Sequence, residues 1–171
     1  MRLLRVVLVN GALSAAVIFL VCFAFEIDRQ WPHVLPGALR FVGWPLLGAG
    51  TLLILAAEAS FIRAARATGA TGDAPARLVT SGPFRCVRNP IYIGAAVTLL
   101  GVAFLRRSPT LTLAAVVTIP VIEAYVRWIE EPRLERRFGD QYRRYRRAVP
   151  KWVPNCRESV RSQEEQDFAR G

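Results

Sequence analysis

The chain is poor in the residue types from which metal centres and histidine-based triads are built. Its 171 residues include one histidine, His33, and three cysteines, Cys22, Cys86 and Cys156, that lie far apart. No pair of these residues has the spacing of a zinc site, so we predict neither a metal site nor a histidine triad. We expect the cysteines to fill buried space, with a nucleophilic Cys86 as the alternative, and we predict no disulfide.

Lysine and acidic residues are also scarce. Lys151 is the single lysine, so 22 of the 23 basic residues are arginines, and 13 acidic residues leave a net charge of +10. With 53% hydrophobic residues and a mean hydropathy of +0.27, this composition favours membrane helices whose basic ends lie on an anionic surface. Nucleic-acid binding is the alternative for such a charge, but apolar spans explain the composition better, and we predict no nucleic-acid partner.

Four apolar runs predict an all-α, multi-pass bundle of four transmembrane helices, since about 20 apolar residues cross the hydrocarbon core. The basic start of the first run resembles a signal peptide, but no A-x-A site follows, so we predict a retained helix. The third run has 15 residues and rises about 22 Å. Ser108 and Pro109 suit the N-cap and first position of the fourth, so the last two spans form a tight hairpin. The runs are residues 3–25, 38–62, 91–105 and 109–129.

The C-terminal third predicts an amphipathic helix on the membrane surface. Leu134, Phe138, Tyr142 and Tyr145 recur at helical spacing, and arginines fill the positions between them. The segment after this helix is polar and is expected to be disordered. We therefore divide the chain into two N-terminal spans (1–62), a core with the loop, hairpin and amphipathic helix (63–154), and a tail (155–171).

The arginines also predict the orientation. Nineteen basic residues lie at the N-terminus, in the 63–90 loop and in the tail, and four lie on the other side of the spans. The positive-inside rule then places both termini in the cytoplasm. We expect an integral protein of the bacterial inner membrane, with the oligomeric state left open.

The stretch SGPFRCVRNPIYIG, residues 81–94, concentrates turn residues and positive charge between apolar runs. A purely structural interpretation is available, because Gly82 starts a turn, Asn89 suits an N-cap and Pro90 suits a first helical position. Gly94 belongs to a small-residue face that favours helix packing, with close approach of a ligand as the alternative.

Charged residues within the fourth span are harder to explain by structure alone. Glu123, Arg127, Glu130 and Glu131 share one helix face, and Glu123 is within reach of Arg127 for an ion pair. Ionisable groups inside a span are costly and usually face an internal cavity. The hairpin would bring these carboxylates beside Arg88, and the combined donors and acceptors would suit a zwitterionic ligand.

The order of these motifs resembles that of a known group of membrane enzymes. LVTSGPFRCVRNPIYIG followed by EEPRLERRFGDQYRRYRRAVPKWVP is similar to the isoprenylcysteine carboxyl methyltransferase and phospholipid methyltransferase family, over residues 78–154. The family pattern has Arg-His-Pro-x-Tyr-x-Gly, a Glu-Glu pair and Phe-Gly-x-x-Tyr-x-x-Tyr. This chain departs from it at Asn89, where the pattern has His, and Asn cannot act as a base.

The resemblance implies an integral membrane methyltransferase that depends on S-adenosylmethionine and acts on a lipophilic or lipid acceptor, either isoprenylcysteine-carboxylate-like or phospholipid-amine-like. It implies catalytic roles for Arg88 and Glu131. The residues it implies for cofactor binding are Gly82, Arg88, Asn89, Pro90, Tyr92, Gly94, Glu130, Glu131 and Tyr145.

Two other functions remain open from the sequence. Membrane sterol and steroid reductases have a similar C-terminal ending and use a nicotinamide cofactor such as NADPH. A non-catalytic membrane scaffold, in which the arginines only set topology, is the third possibility. Because the first two spans carry no signature, the sequence is compatible with prenylated cysteine, a phospholipid amine, an isoprenoid or a small hydrophobic thiol as acceptor.

Overall fold

The computed structural model describes residues 35–67 and 77–156, together with residues 23, 26 and 27. Within the longer ranges, regular structure is helical throughout, in agreement with the all-α prediction. A 3-10 turn precedes α2, and a π-helical segment joins α3 to α4. The elements are α1 (Leu39–Ala67), the 3-10 turn (Gly82–Arg85), α2 (Pro90–Arg106), α3 (Pro109–Tyr125), the π segment (Val126–Glu130), α4 (Glu131–Phe138) and α5 (Asp140–Ala148).

Among the described residues, two helical stretches are long and apolar enough to cross a membrane. They are Leu39–Ala64, within α1, and Pro109–Phe138, which runs from α3 into α4. Only 17% and 39% of their apolar windows are buried inside the protein, so most of each surface faces outwards. Large apolar side chains such as Phe41, Trp44 and Leu113 are exposed there. α2 has 17 residues and rises about 25 Å, less than the hydrocarbon core of about 30 Å.

Two of the four predicted spans are therefore supported by length and composition, and a third is a shorter apolar helix. The predicted span 3–25 lies outside the described residues except for Phe23. Whether it crosses the membrane stays a prediction.

Glycines set the close packing of α1 against α2. A Cβ added at Gly50 would meet the backbone of Gly94 and Thr98 at 2.6 Å, and one added at Gly101 would meet the Leu47 nitrogen at 2.5 Å. Gly43 packs in the same way against Leu105. Side chains at these positions would separate the helices, so the small-residue face of α2 lies against α1.

The α2–α3 hairpin forms as predicted. Arg107 adopts a left-handed conformation (φ 55°) after the end of α2. Ser108 then caps α3, because its hydroxyl accepts from the Leu111 N–H at 2.8 Å, and Pro109 takes the first helical position.

The chain beyond α3 differs from the prediction. The helix continues through Pro120 and changes to π geometry at Val126, where the Glu131 N–H donates to the Val126 carbonyl. The single amphipathic helix predicted after Pro132 is not found, because Gly139 (φ 52°) separates α4 from α5. The predicted apolar positions nevertheless pack together: Tyr142 and Tyr145 are buried in a cluster with Leu134 and Phe138.

The C-terminal strap, residues 149–156, is tied to the segment between the 3-10 turn and α2. The Arg88 N–H donates to the Pro150 carbonyl at 2.9 Å, and the Asn155 N–H donates to the Cys86 carbonyl at 2.8 Å. Cys86 and Cys156 form a disulfide, so the prediction of no disulfide is wrong. The two cysteines are 70 residues apart, and only the fold brings them together. The predicted disordered tail therefore starts with two residues that are held in place, and residues 157–171 lie outside the described residues.

Candidate active site

The N-terminal end of α2 meets the junction of the π segment and α4 through a charged pair. Arg88 Nη1 donates to Glu131 Oε1 at 2.6 Å. The exposed fractions of the two side chains are 12% and 14%, so the pair is largely shielded from solvent. The Arg88 Nε is buried and has no hydrogen-bond partner among the described residues. A buried donor without a partner is costly, which marks this atom as a position where a ligand could accept a hydrogen bond.

Glu130 uses a different partner from its neighbour Glu131. The Tyr92 hydroxyl donates to Glu130 Oε2 at 2.8 Å, across the α2–π segment contact. The Tyr92 ring lies edge-on to Tyr125, with ring centroids 6.4 Å apart. Tyr92 lies four residues after Arg88, so the segment at the start of α2 supplies hydrogen-bond donors to both Glu130 and Glu131.

Glu123 lies at the end of α3 and is fully engaged by the C-terminal strap. Lys151 Nζ is 3.0 Å from Glu123 Oε1, and Trp152 Nε1 donates to Glu123 Oε2 at 2.6 Å. The predicted ion pair between Glu123 and Arg127 is replaced by these contacts, and Arg127 is exposed. Lys151 also approaches Glu131 Oε1 at 3.6 Å, so it bridges the two carboxylates.

Two tyrosines of α5 complete the wall beside Arg88. Burial raises the pKa of the Tyr142 hydroxyl, the charge of Glu131 raises it further, and a hydrogen bond from Arg88 opposes the shift. Burial also raises the pKa of Tyr145, whose hydroxyl donates to the Phe84 carbonyl at 2.8 Å. Both hydroxyls therefore remain protonated at neutral pH.

The other predicted site residues divide into two groups. Pro90 and Asn89 stand at the start of α2, and Asn89 occupies the N-cap position without a side-chain capping bond. Its Nδ2 instead donates to the Lys151 carbonyl at 3.4 Å. Gly82 (φ 62°) packs against Ser60 of α1, and Gly94 packs against α1. The structure thus brings Arg88, Tyr92, Glu130 and Glu131 together, while Gly82 and Gly94 contact α1.

Sequence reasoning missed Lys151 and Trp152 as part of this cluster. A signal was available, because Lys151 is the only lysine in a chain of arginines. Spacing could not connect it to Glu123, which lies 28 positions earlier.

The segments that carry this cluster of arginine, tyrosine and paired carboxylates match a known protein family. The profile of the phospholipid methyltransferase family matches residues 39–141, from the start of α1 into α5. The chain belongs to the phospholipid methyltransferase family. The match covers more than half of the chain and includes Arg88, Tyr92, Glu130 and Glu131. It confirms the resemblance found in the sequence, and it indicates a membrane methyltransferase that acts on lipid. No match was found among curated proteins or among solved structures.

Proposed function

We propose that this protein transfers a methyl group from S-adenosylmethionine to a lipid acceptor, with the site built around Arg88 and Glu131. The observation that carries the proposal is the 2.6 Å contact between these two shielded side chains, beside an Arg88 Nε that has no hydrogen-bond partner within the described part of the chain. In a family of lipid methyltransferases, a shielded cluster of arginine and carboxylates supports binding of a zwitterionic methyl donor at this position.

The residues present fit the amino-acid end of S-adenosylmethionine. That end carries a carboxylate, which the Arg88 Nε could bind, and an ammonium, which the carboxylates of Glu130 and Glu131 could accept. When bound, the cofactor would supply the methyl group as an electrophilic carbon on a sulfonium. Glu123, Glu130 and Glu131 lie beside the cations Arg88 and Lys151. The charges of Arg127 and Arg133 also act on Glu123 and Glu130, so groups of both signs are present for a zwitterionic ligand.

The chain's own groups allow two types of acceptor. In-line transfer depends mainly on the positioning of the two reactants, and shielding from water favours an anionic nucleophile whose charge disappears. An amine acceptor, such as a phospholipid amine, also needs a group that takes up a proton, and Glu130, Glu131 and Glu123 are the carboxylates at hand. Asn89 stands where the family pattern has His and cannot titrate, so we assign it to positioning.

The proposed orientation places the site at the cytoplasmic face. The start of α2, the end of α3 and the strap lie together, whereas Arg106 and Arg107 lie at the opposite end of the hairpin. The methyl donor is made in the cytoplasm, so a cytoplasmic site would receive it directly.

The test is incubation of membranes with methyl-labelled S-adenosylmethionine, followed by identification of the labelled lipid. We expect Glu131→Gln and Arg88→Ala each to lower labelling by about a hundredfold or more, because each removes one side of the site. Arg143→Gln is the matched control: it also removes a charge that pairs with carboxylates, Glu135 and Asp140, but on the exposed surface of α5. Labelling that is unchanged in both site variants would refute the proposal. Binding of NADPH and not of S-adenosylmethionine would instead indicate a reductase.

A further inference from the structure

A single ammonium group lies between two carboxylates that belong to different helices. Lys151 Nζ is 3.0 Å from Glu123 Oε1 and 3.6 Å from Glu131 Oε1. Glu131 Oε1 is also the atom that accepts from Arg88 at 2.6 Å. One oxygen therefore faces two cations, one at the start of α2 and one on the C-terminal strap.

We propose that Lys151 is a positioning residue that fixes the Glu131 carboxylate beside Arg88 for the ligand, a role that rests on the function proposed above. Without the ammonium, Glu131 would keep only the Arg88 contact and could turn away from the orientation that presents it to the ligand. Glu131 would then contact one cation, and repulsion from the adjacent Glu130 carboxylate would favour such a movement.

The strap places Lys151 through its backbone, independently of the lysine side chain. The Lys151 carbonyl accepts from Asn89 Nδ2 at 3.4 Å, and the neighbouring Pro150 carbonyl accepts from the Arg88 N–H. Val149 is buried, with 1% of its surface exposed. Substitution of Lys151 should therefore remove the ammonium and leave the strap in place.

Glu123 serves as the anchor of this arrangement. Both of its carboxylate oxygens are used within the protein, one by Lys151 and the other by Trp152 Nε1 at 2.6 Å. The Trp152 indole N–H orients the Glu123 carboxylate, which pairs with the Lys151 ammonium, and the same ammonium lies 3.6 Å from Glu131. The strap thereby couples the end of α3 to the start of α4 across the π segment.

Selective amine chemistry tests the contact itself, because Lys151 is the only lysine. An N-hydroxysuccinimide ester is applied to the full-length protein in detergent, and acylation of Lys151 is followed by mass spectrometry. We expect Glu131→Gln to speed acylation by about threefold or more, because one of the two carboxylates around the amine is lost. Arg143→Gln should leave the rate unchanged. Equal rates in wild type and Glu131→Gln would overturn the proposal, whether or not the protein binds S-adenosylmethionine.

Equilibrium binding of labelled S-adenosylmethionine tests the positioning role. Lys151→Gln should raise Kd about tenfold, and Lys151→Arg, which keeps the charge, should return it to within about threefold of wild type. If Lys151 acts through Glu131, the double variant with Glu131→Gln should bind no more weakly than Glu131→Gln alone. Additive losses, an unchanged Kd in Lys151→Gln or no recovery with arginine would each refute the role.

Binding of S-adenosylmethionine to the wild-type protein tests the proposed function, and the acylation rates test the Lys151–Glu131 contact separately. A wild-type protein that does not bind S-adenosylmethionine would contradict the proposed function, and the acylation rates would then decide whether Lys151 contacts Glu131. Thermal unfolding of Lys151→Gln separates positioning from general structural damage: the midpoint should stay close to that of wild type, since the strap contacts do not involve the ammonium.

Discussion

At the scale of single residues, adjacent carboxylates on one chain segment have different partners. Glu130 accepts from Tyr92, whereas Glu131 pairs with Arg88 and Lys151. Each carboxylate therefore has its own donor: a neutral hydroxyl orients Glu130, and two cations compensate the charge of Glu131. A ligand with both a positive and a negative group could then replace or extend these contacts without leaving either carboxylate isolated.

Tyr92→Phe tests the Glu130 side of the site. The substitution removes the 2.8 Å hydrogen bond and keeps the ring that packs edge-on to Tyr125. We expect unfolding free energy to fall by about 1 kcal/mol, because the carboxylate loses a donor, and methyl transfer to fall by about tenfold as Glu130 loses its orientation. Thermal unfolding and lipid labelling measure the two effects. A variant with full labelling activity would show that the Glu130 orientation does not matter for transfer.

The sequence predicted those site residues that share one recognisable motif, and it missed those that depend on distant contacts. Arg88, Tyr92, Glu130 and Glu131 could be named because the motif contains them. Lys151 and Trp152 could not, because their partner Glu123 is reached only when the strap folds back on α3. The prediction of a Glu123–Arg127 ion pair failed for the same reason. Helical spacing allows the pair, but Lys151, which is distant in the sequence, contacts the Glu123 carboxylate instead.

At the scale of elements, the capping residues predicted the α2–α3 hairpin, whereas the division of the C-terminal helix into α4 and α5 was not predicted. Ser108 and Pro109 define the start of α3 within two residues, so the sequence was sufficient there. The break at Gly139 had a signal in the glycine itself, but the apolar spacing across it is continuous and favoured one helix. The π segment (Val126–Glu130) has no distinctive sequence that would have predicted it.

The α1–α2 contact leads to a prediction about two glycines on one helix. A methyl group at Gly50 would meet Gly94 and Thr98 at 2.6 Å, whereas a methyl group at Gly48 would meet nothing within 4 Å. Gly50→Ala should therefore lower unfolding free energy by about 1–3 kcal/mol through overpacking. Gly48→Ala is the control and should be neutral or stabilising by about 0.5–1 kcal/mol, since alanine favours the helix. Thermal unfolding in detergent measures both, and equal midpoints would contradict the close packing described here.

At the scale of the whole molecule, the disulfide connects the C-terminal end of the strap to the segment just before α2. Cys86 lies two residues before Arg88, and Cys156 ends the strap that carries Lys151. The site is therefore formed by the start of α2, the end of α3, the junction of the π segment with α4 and the first residues of the strap. The sequence could not reveal this closure, because cysteines 70 residues apart show no spacing pattern.

The redox state of Cys86 and Cys156 tests the proposed orientation. The cytoplasm keeps thiols reduced, whereas the periplasm favours disulfides. If the site faces the cytoplasm, acid quenching of intact cells followed by alkylation with a mass-shifting maleimide should modify all three cysteines. Purification without reductant should then leave only Cys22 reactive, because Cys86 and Cys156 pair. Cys156→Ser is the control, since it leaves two reactive thiols in both conditions. A single reactive thiol in quenched wild-type cells would place the site end outside the cytoplasm, and the methyl donor would then need another route to Arg88.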